Sequence, residues 1–200
     1  MERPLTENIR PGVEPLDISG YEKAGGYEAL RKVVSGMAPR DVVQAVLDSH
    51  LRGRGGAGFP TGRKWTFVPS GKDAVHPTYL VVNADEMEPC TFKDRVLLEG
   101  TPHQLIEGTI IAAYAIQADI AYIFLRQEYV TAALRISRAI AEAYSRGYLG
   151  RNVLGSDYSL QLYLHTSAGR YICGEETALL NALEGRRAAP RTKQIGRAHV

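Results

Sequence analysis

Residues 51–65 read LRGRGGAGFPTGRKW, in which Gly53, Gly55, Gly56, Gly58 and Gly62 are interleaved with Arg52, Arg54, Arg63 and Lys64. Glycine admits close backbone approach and left-handed conformations, so successive N–H groups can converge on an anion while the cations neutralise it. The pattern points to a phosphate or pyrophosphate cradle. Gly53, Gly55 and Gly58 satisfy G-x-G-x-x-G, but the preceding segment predicts a helix where the dinucleotide fingerprint requires a strand, and no Gly-Lys-Ser/Thr follows for a Walker A loop. Phe59, Trp65 and Phe67 add rings that could stack on a planar base. The plainer alternative, a flexible surface loop, gives those rings no purpose.

Two further groups carry chemistry. In VVNADEMEP, Asn83, Asp85, Glu86 and Glu88 follow a predicted strand, at the carboxyl edge where open α/β sheets bind ligands. They suit hydrogen bonding to sugar or ribityl hydroxyls, or Mg²⁺ binding, or an ordinary acidic turn. In RYICGEET, Gly174 precedes Glu175 and Glu176 in the first turn of a predicted helix, where complementing the helix dipole is the plain explanation. Cys173 reads as a small buried hydrophobe, since no activating base accompanies it.

The elements that must position these groups can be read from periodicity. Residues 1–26 show no sustained period and predict an irregular arm. Helices are expected over Tyr27–Val34 and from Pro39 to about His50, with Val43, Val46, Leu47 and His50 on one packed face. YLVVN (Tyr79–Asn83) and IAYIFL (Ile120–Leu125) predict parallel strands covered on both faces, and LQLYLH (Leu160–His165) a third strand. Between them fall a helix over Pro102–Ala118 and a longer one carrying Tyr129, Ala133, Ile136, Ile140 and Ala143 at spacings of 4, 3, 4 and 3. Glu175–Leu183 predicts a short helix stopped by Gly185. Strands alternating with helices predict an α/β, Rossmann-like parallel sheet flanked by helices.

Composition narrows the classes. The 200 residues are 44% hydrophobic and 23% charged, enough for one sizeable core, and 24 basic against 22 acidic residues leave +2, too little for a general nucleic-acid or anionic-membrane footprint. Cys90 and Cys173 have no zinc or CxxC spacing. Charges and prolines near the amino terminus exclude a secretory signal there, and Asp119 interrupts the long apolar run from Gly108 to Leu125, so no membrane insertion is expected. The last residues, QIGRAHV (194–200), resemble a translated adapter and are expected to be a non-native tail.

Taken together, LRGRGGAGFPTGRKW, NADEMEPCTFKDR and GRYICGEETALLNALEGRRAAPR resemble the flavin-carrying component (the F-type, 51 kDa subunit) of bacterial NADH:quinone oxidoreductase, respiratory complex I, over residues 20–193. NAD-reducing hydrogenases and NAD-dependent formate dehydrogenases share these motifs in their diaphorase subunits. The resemblance implies an FMN/NADH-binding α/β domain over 27–193 and hydride transfer from NADH to FMN, followed by single-electron release to iron–sulfur clusters towards quinone. It implies that Gly53, Arg54, Gly55, Gly56, Lys64, Asn83, Asp85, Gly174 and Glu175 hold FMN. Phe59 and Phe67 would stack on the NADH adenine, and Glu86, Glu88, Tyr171 and Glu176 would line the nicotinamide side. No side chain need act as acid or base. Non-catalytic nucleotide binding and a Mg²⁺-dependent phosphohydrolase on Asp85, Glu86 and Glu88 are the alternatives from other classes.

The same resemblance implies partners, namely a [2Fe–2S] thioredoxin-like subunit and a large iron–sulfur subunit, and a peripheral place on the cytoplasmic face of the membrane. It also implies truncation, before a β-grasp domain and a helical domain that binds a [4Fe–4S] cluster. Cys90 stands where the family pattern EPGTFKDR has glycine, so a left-handed backbone there would be strained by roughly 1–2 kcal/mol.

Overall fold

The computed structural model describes residues 3, 5–10, 12–69 and 71–192; the expected tail at 194–200 lies outside them. Three parallel strands, β1 (Tyr79–Ala84), β2 (Ile120–Leu125) and β3 (Gln161–Thr166), form one sheet in the order β1-β2-β3. The register pairs Asn83 with Phe124 and His165, and Ala84 with Leu125 and Thr166. All three strands therefore end together, which gathers their outgoing loops along one edge.

Among the described residues, eight α-helices accompany the sheet. They are α1 (Ile18–Lys23), α2 (Glu28–Gly36), α3 (Pro39–Asp48), α4 (Thr61–Trp65), α5 (Lys93–Gly100), α6 (Pro102–Ala115), α7 (Val130–Ser145) and α8 (Glu176–Leu183). Helices α6 and α7 are the crossovers between successive strands and bury one face of the sheet. Ile106 and Ile110 of α6 and Ile136 of α7 pack with Ala121, Ile123, Leu125 and Leu162 in the main core. Of the predicted α7 stripe, Tyr129, Ile136 and Ala143 are buried and Ala133 and Ile140 pack half-buried against the core, while Ala132 and Ala139, outside the predicted set, are buried beside them. Pro102 opens α6, as its fixed φ and missing N–H favour.

Four expectations need correction. The arm is not irregular throughout: Asp17 caps α1 by accepting the Gly20 N–H at 2.8 Å, and Ile18 and Tyr21 enter the main core. His50 is exposed, with φ 54° just past α3, and the α3 residue that is buried is Val42. Only β2 is covered on both faces, and only at its carboxyl end. There Phe124, Cys173 and Leu179 form a cluster with Val81 under α8, whereas Tyr79 stacks on Tyr122 and Tyr163 lies tilted against it, with Tyr79 and Tyr163 exposed, because α8 is only eight residues long. Finally, α4 and α5 occupy stretches in which no helix was expected. Only Leu98 of α5 is buried, too little periodicity to announce it.

The amino-terminal segment is tied down by buried polar contacts. Glu107 of α6 accepts the Tyr21 hydroxyl at 2.7 Å and the Tyr27 and Leu30 N–H groups at 2.9 and 3.2 Å. His103 of α6 spans Tyr27 Oη, 2.9 Å from Nδ1, and Glu142 of α7, 3.0 Å from Nε2; Glu142 also accepts the Ile18 N–H at 2.9 Å. These partners keep buried polar groups satisfied.

Candidate flavin and nucleotide site

The glycine-rich segment leaves α3, not a strand, and closes on itself. Arg52 and Pro60 form an antiparallel bridge, the Gly53 N–H donates to the Phe59 carbonyl at 2.9 Å, and Arg52 Nε donates to the Gly58 carbonyl at 2.6 Å. Arg52 thus holds the loop, while Arg54 donates to the Arg52 carbonyl at 3.1 Å. At the tip, Gly56 has φ 110°, and a β-carbon added at Gly55 or Gly56 would meet nothing within 4 Å. The tip is therefore open to a ligand. Phe59, in the loop, and Phe67, just past α4, have ring centroids 6.1 Å apart and about half of each residue exposed. Lys64 is half-buried near the end of α4.

The second group forms at the carboxyl edge of the sheet. Asn83 Nδ2 donates to the Gly174 carbonyl at 2.8 Å, and Asn83 Oδ1 accepts the Asp85 N–H at 3.2 Å, so one residue joins β1 to the turn before α8. A β-carbon on Gly174 would lie 3.2 Å from the Asp85 carbonyl and 3.9 Å from Asp85 Oδ2. Asp85 is 7% exposed; Oδ1 accepts the Ser167 hydroxyl at 2.8 Å, while buried Oδ2 has no hydrogen-bond partner among the described residues. Burial, chiefly, raises the Asp85 pKa, and the Ser167 hydrogen bond opposes the rise. A buried acceptor without a donor calls for one.

The remaining predicted residues divide by what they touch. Glu88 accepts the Tyr171 hydroxyl at 2.5 Å on the exposed side of this edge. Glu175 caps α8, its carboxylate accepting the Thr177 and Ala178 N–H groups at 3.0 and 2.9 Å, and Glu176 opens that helix, so the plain dipole-complementing role is present. Glu86 is buried and accepts the Asp94 and Arg95 N–H groups at 2.9 and 3.1 Å and the Tyr129 hydroxyl at 2.9 Å. Burial alone would raise its pKa; these hydrogen bonds together hold it below the usual value. Glu86 thus supplies the first turn of α5. A Mg²⁺ centre would need Asp85, Glu86 and Glu88 to converge, and among the described residues no three such side chains could hold a metal ion.

Sequence reasoning missed Ser167, Arg126 and Tyr129. Arg126 donates to the Glu86 carbonyl at 2.6 Å, and all three residues lie just past a strand end, where the carboxyl-edge rule pointed. Among the described residues no hydrogen bond joins the glycine-rich loop to the Asn83–Asp85–Gly174 group.

Residues 46–200 match the Nuo51 FMN-binding domain family. The chain belongs to that family. It is 57% identical over 176 residues to the second F-type subunit of the NADH-quinone oxidoreductase of Rhizobium meliloti, covering 88% of this chain and 41% of that protein. It is 52% identical over 190 residues to the F-type subunit of the Escherichia coli NADH-quinone oxidoreductase, covering 95% and 42%. A chain of an NAD⁺-reducing [NiFe]-hydrogenase in the H₂-reduced state superposes with a TM-score of 0.72 at 38% identity, over 90% of this chain and 30% of that one. This family member therefore spans about two fifths of the length of the curated relatives it matches. FMN fits the residues present: the open loop tip can take an anionic group, and the buried Asp85 oxygen can take a hydroxyl donor.

Proposed function

We propose that this chain is the FMN- and NADH-binding part of an NADH dehydrogenase module. The observation that carries the reading is Asp85, a buried carboxylate with one oxygen awaiting a donor beside the side-chain-free face of Gly174. When bound, FMN would supply the hydride acceptor and the step from two-electron to one-electron transfer. Gly53, Arg54, Gly55, Gly56 and Lys64 offer N–H groups and positive charge to the anionic parts of the ligands. Asn83 and Asp85 hold the polyol side, and Gly174 and Glu175 close over the flavin from the start of α8. Phe59 and Phe67 offer π faces to the adenine of NADH. Glu88, Tyr171 and Glu176, with Glu86 steadying α5 behind them, border the nicotinamide.

On this reading the electrons leave to iron–sulfur centres, one of them a [4Fe–4S] cluster outside these 200 residues. The companions are a [2Fe–2S] thioredoxin-like subunit and a large iron–sulfur subunit, and quinone is the eventual acceptor at the cytoplasmic face of the membrane. Among the described residues no helix is long and apolar enough to cross a membrane. The similarity to a hydrogenase chain supports a second reading in which the same module serves as a diaphorase with another redox partner.

The test is anaerobic: the chain is mixed with FMN, freed of unbound flavin and titrated with NADH while visible absorbance is followed. Retained flavin that bleaches is expected; no retained flavin overturns the reading for this chain.

A further inference from the structure

Ser167 stands outside every residue assigned above to a ligand. It follows β3 directly, and its N–H donates to the Leu125 carbonyl at 2.7 Å, extending the parallel ladder one residue past the strand. Asp85 likewise follows β1. The two residues thus terminate the outer strands of a three-stranded sheet, and their side chains meet across the end of the central strand, Ser167 Oγ to Asp85 Oδ1 at 2.8 Å. Both are buried, at 4% and 7% exposure. The Ser167 loop is itself confined, because a β-carbon at Gly169 (φ 71°) would lie 2.7 Å from Gln127 Nε2 in the loop after β2.

We propose that Ser167 is a positioning residue for the flavin site: by holding Oδ1 it fixes the Asp85 carboxylate and leaves Oδ2 as the acceptor for one hydroxyl of the ligand's polyol chain. The proposal rests on the flavin reading above and adds a residue to it. The ligand class follows from donor chemistry. A buried carboxylate flanked by Glu128 rejects a phosphate dianion and accepts an uncharged O–H donor, with Arg126 the nearby cation. Without Ser167 the carboxylate gains a second unsatisfied oxygen and rotational freedom, so the hydroxyl contact loses its fixed geometry.

The experiment titrates the 200-residue chain with FMN, riboflavin and lumiflavin by flavin fluorescence. Riboflavin keeps the polyol without phosphate; lumiflavin keeps only the ring system. Ser167→Ala should weaken FMN and riboflavin by about tenfold each, the order expected for a hydrogen bond to a charged group, and leave lumiflavin unchanged. Ser167→Thr should recover most of the loss, and Ser167→Ala should add nothing in an Asp85→Asn background. In the ligand-free chain, carboxyl NMR should show Asp85 titrating at higher pH in Ser167→Ala, since a bond to the ionised form is gone. Equal loss for all three flavins, or unaltered riboflavin binding, overturns the positioning role while the flavin reading stands. Failure of the unmutated chain to bind either FMN or riboflavin overturns the flavin reading, and an unmoved Asp85 titration then shows that Ser167 does not hold the carboxylate.

Discussion

Gly174 and Asp85 approach so closely that a β-carbon on the glycine would sit 3.2 Å from the aspartate carbonyl, tighter than ordinary van der Waals contact. The close approach of the turn before α8 to the end of β1 therefore depends on residue 174 having no side chain. Gly174→Ala is expected to lower FMN affinity by roughly tenfold or more, about 1.4 kcal/mol per decade. Its thermal midpoint should move by less than about 3 °C, a shift that corresponds to under about 1 kcal/mol in a chain this size. Flavin titration beside a melting curve separates the two effects.

Phe59 and Phe67 are 45% and 51% exposed, so the fold gains little from either ring. Replacing each by alanine should change unfolding free energy by no more than about 0.5 kcal/mol. NADH affinity should fall several-fold in each variant while FMN affinity holds. Equal loss of both ligands would show that the rings support the loop rather than a base.

Cys90 has φ 63°, in the left-handed region that costs a side-chain-bearing residue roughly 1–2 kcal/mol. Relief of that strain is partly offset by the greater unfolded-state entropy of glycine. Cys90→Gly should therefore stabilise the chain by about 0.5–1 kcal/mol in urea unfolding, and Cys90→Ala should not.

Acid should loosen the amino-terminal segment. Burial holds the His103 imidazole below its ordinary 6.5, with Glu142 partly opposing, so the folded chain binds this proton more weakly than the unfolded one. Stability is then complete above about pH 6.5 and falls as pH drops through the lower folded value. Glu142, whose pKa is lowered chiefly through its hydrogen bonds against the opposing effect of burial, contributes its own loss only further into acid. Urea midpoints at pH 7.5 and 5.5 should differ, and the difference should shrink in His103→Gln. Equal midpoints for the unmutated chain would refute the assignment.

The parts of the fold that were legible are those in which one period runs long enough to outweigh local preference. The bounds of β2 agree at both ends, and α7 shows its apolar stripe over four turns. The missed elements are short and fixed from a distance. Helix α5 begins where Glu86 accepts its first N–H groups, and α1 exists because Ile18 and Tyr21 find partners on α6 and α7. The candidate site was legible as residue types at a strand edge and in a glycine-rich loop. Which carboxylate meets a ligand and which serves a helix depends on neighbours far away in sequence: Glu86 and Glu88 are two residues apart, yet one caps α5 and the other faces Tyr171.

The partners of α1 have a consequence for how the chain is made. The Tyr21 hydroxyl meets Glu107, 86 positions further along, and the Ile18 N–H meets Glu142, 124 positions further along. A ribosome releases the amino terminus first, so this segment emerges long before the groups that satisfy it. Its helix is too short to persist alone. A segment made before its partners is therefore among the last to settle, and a nascent chain arrested before residue 142 would leave it open to proteases.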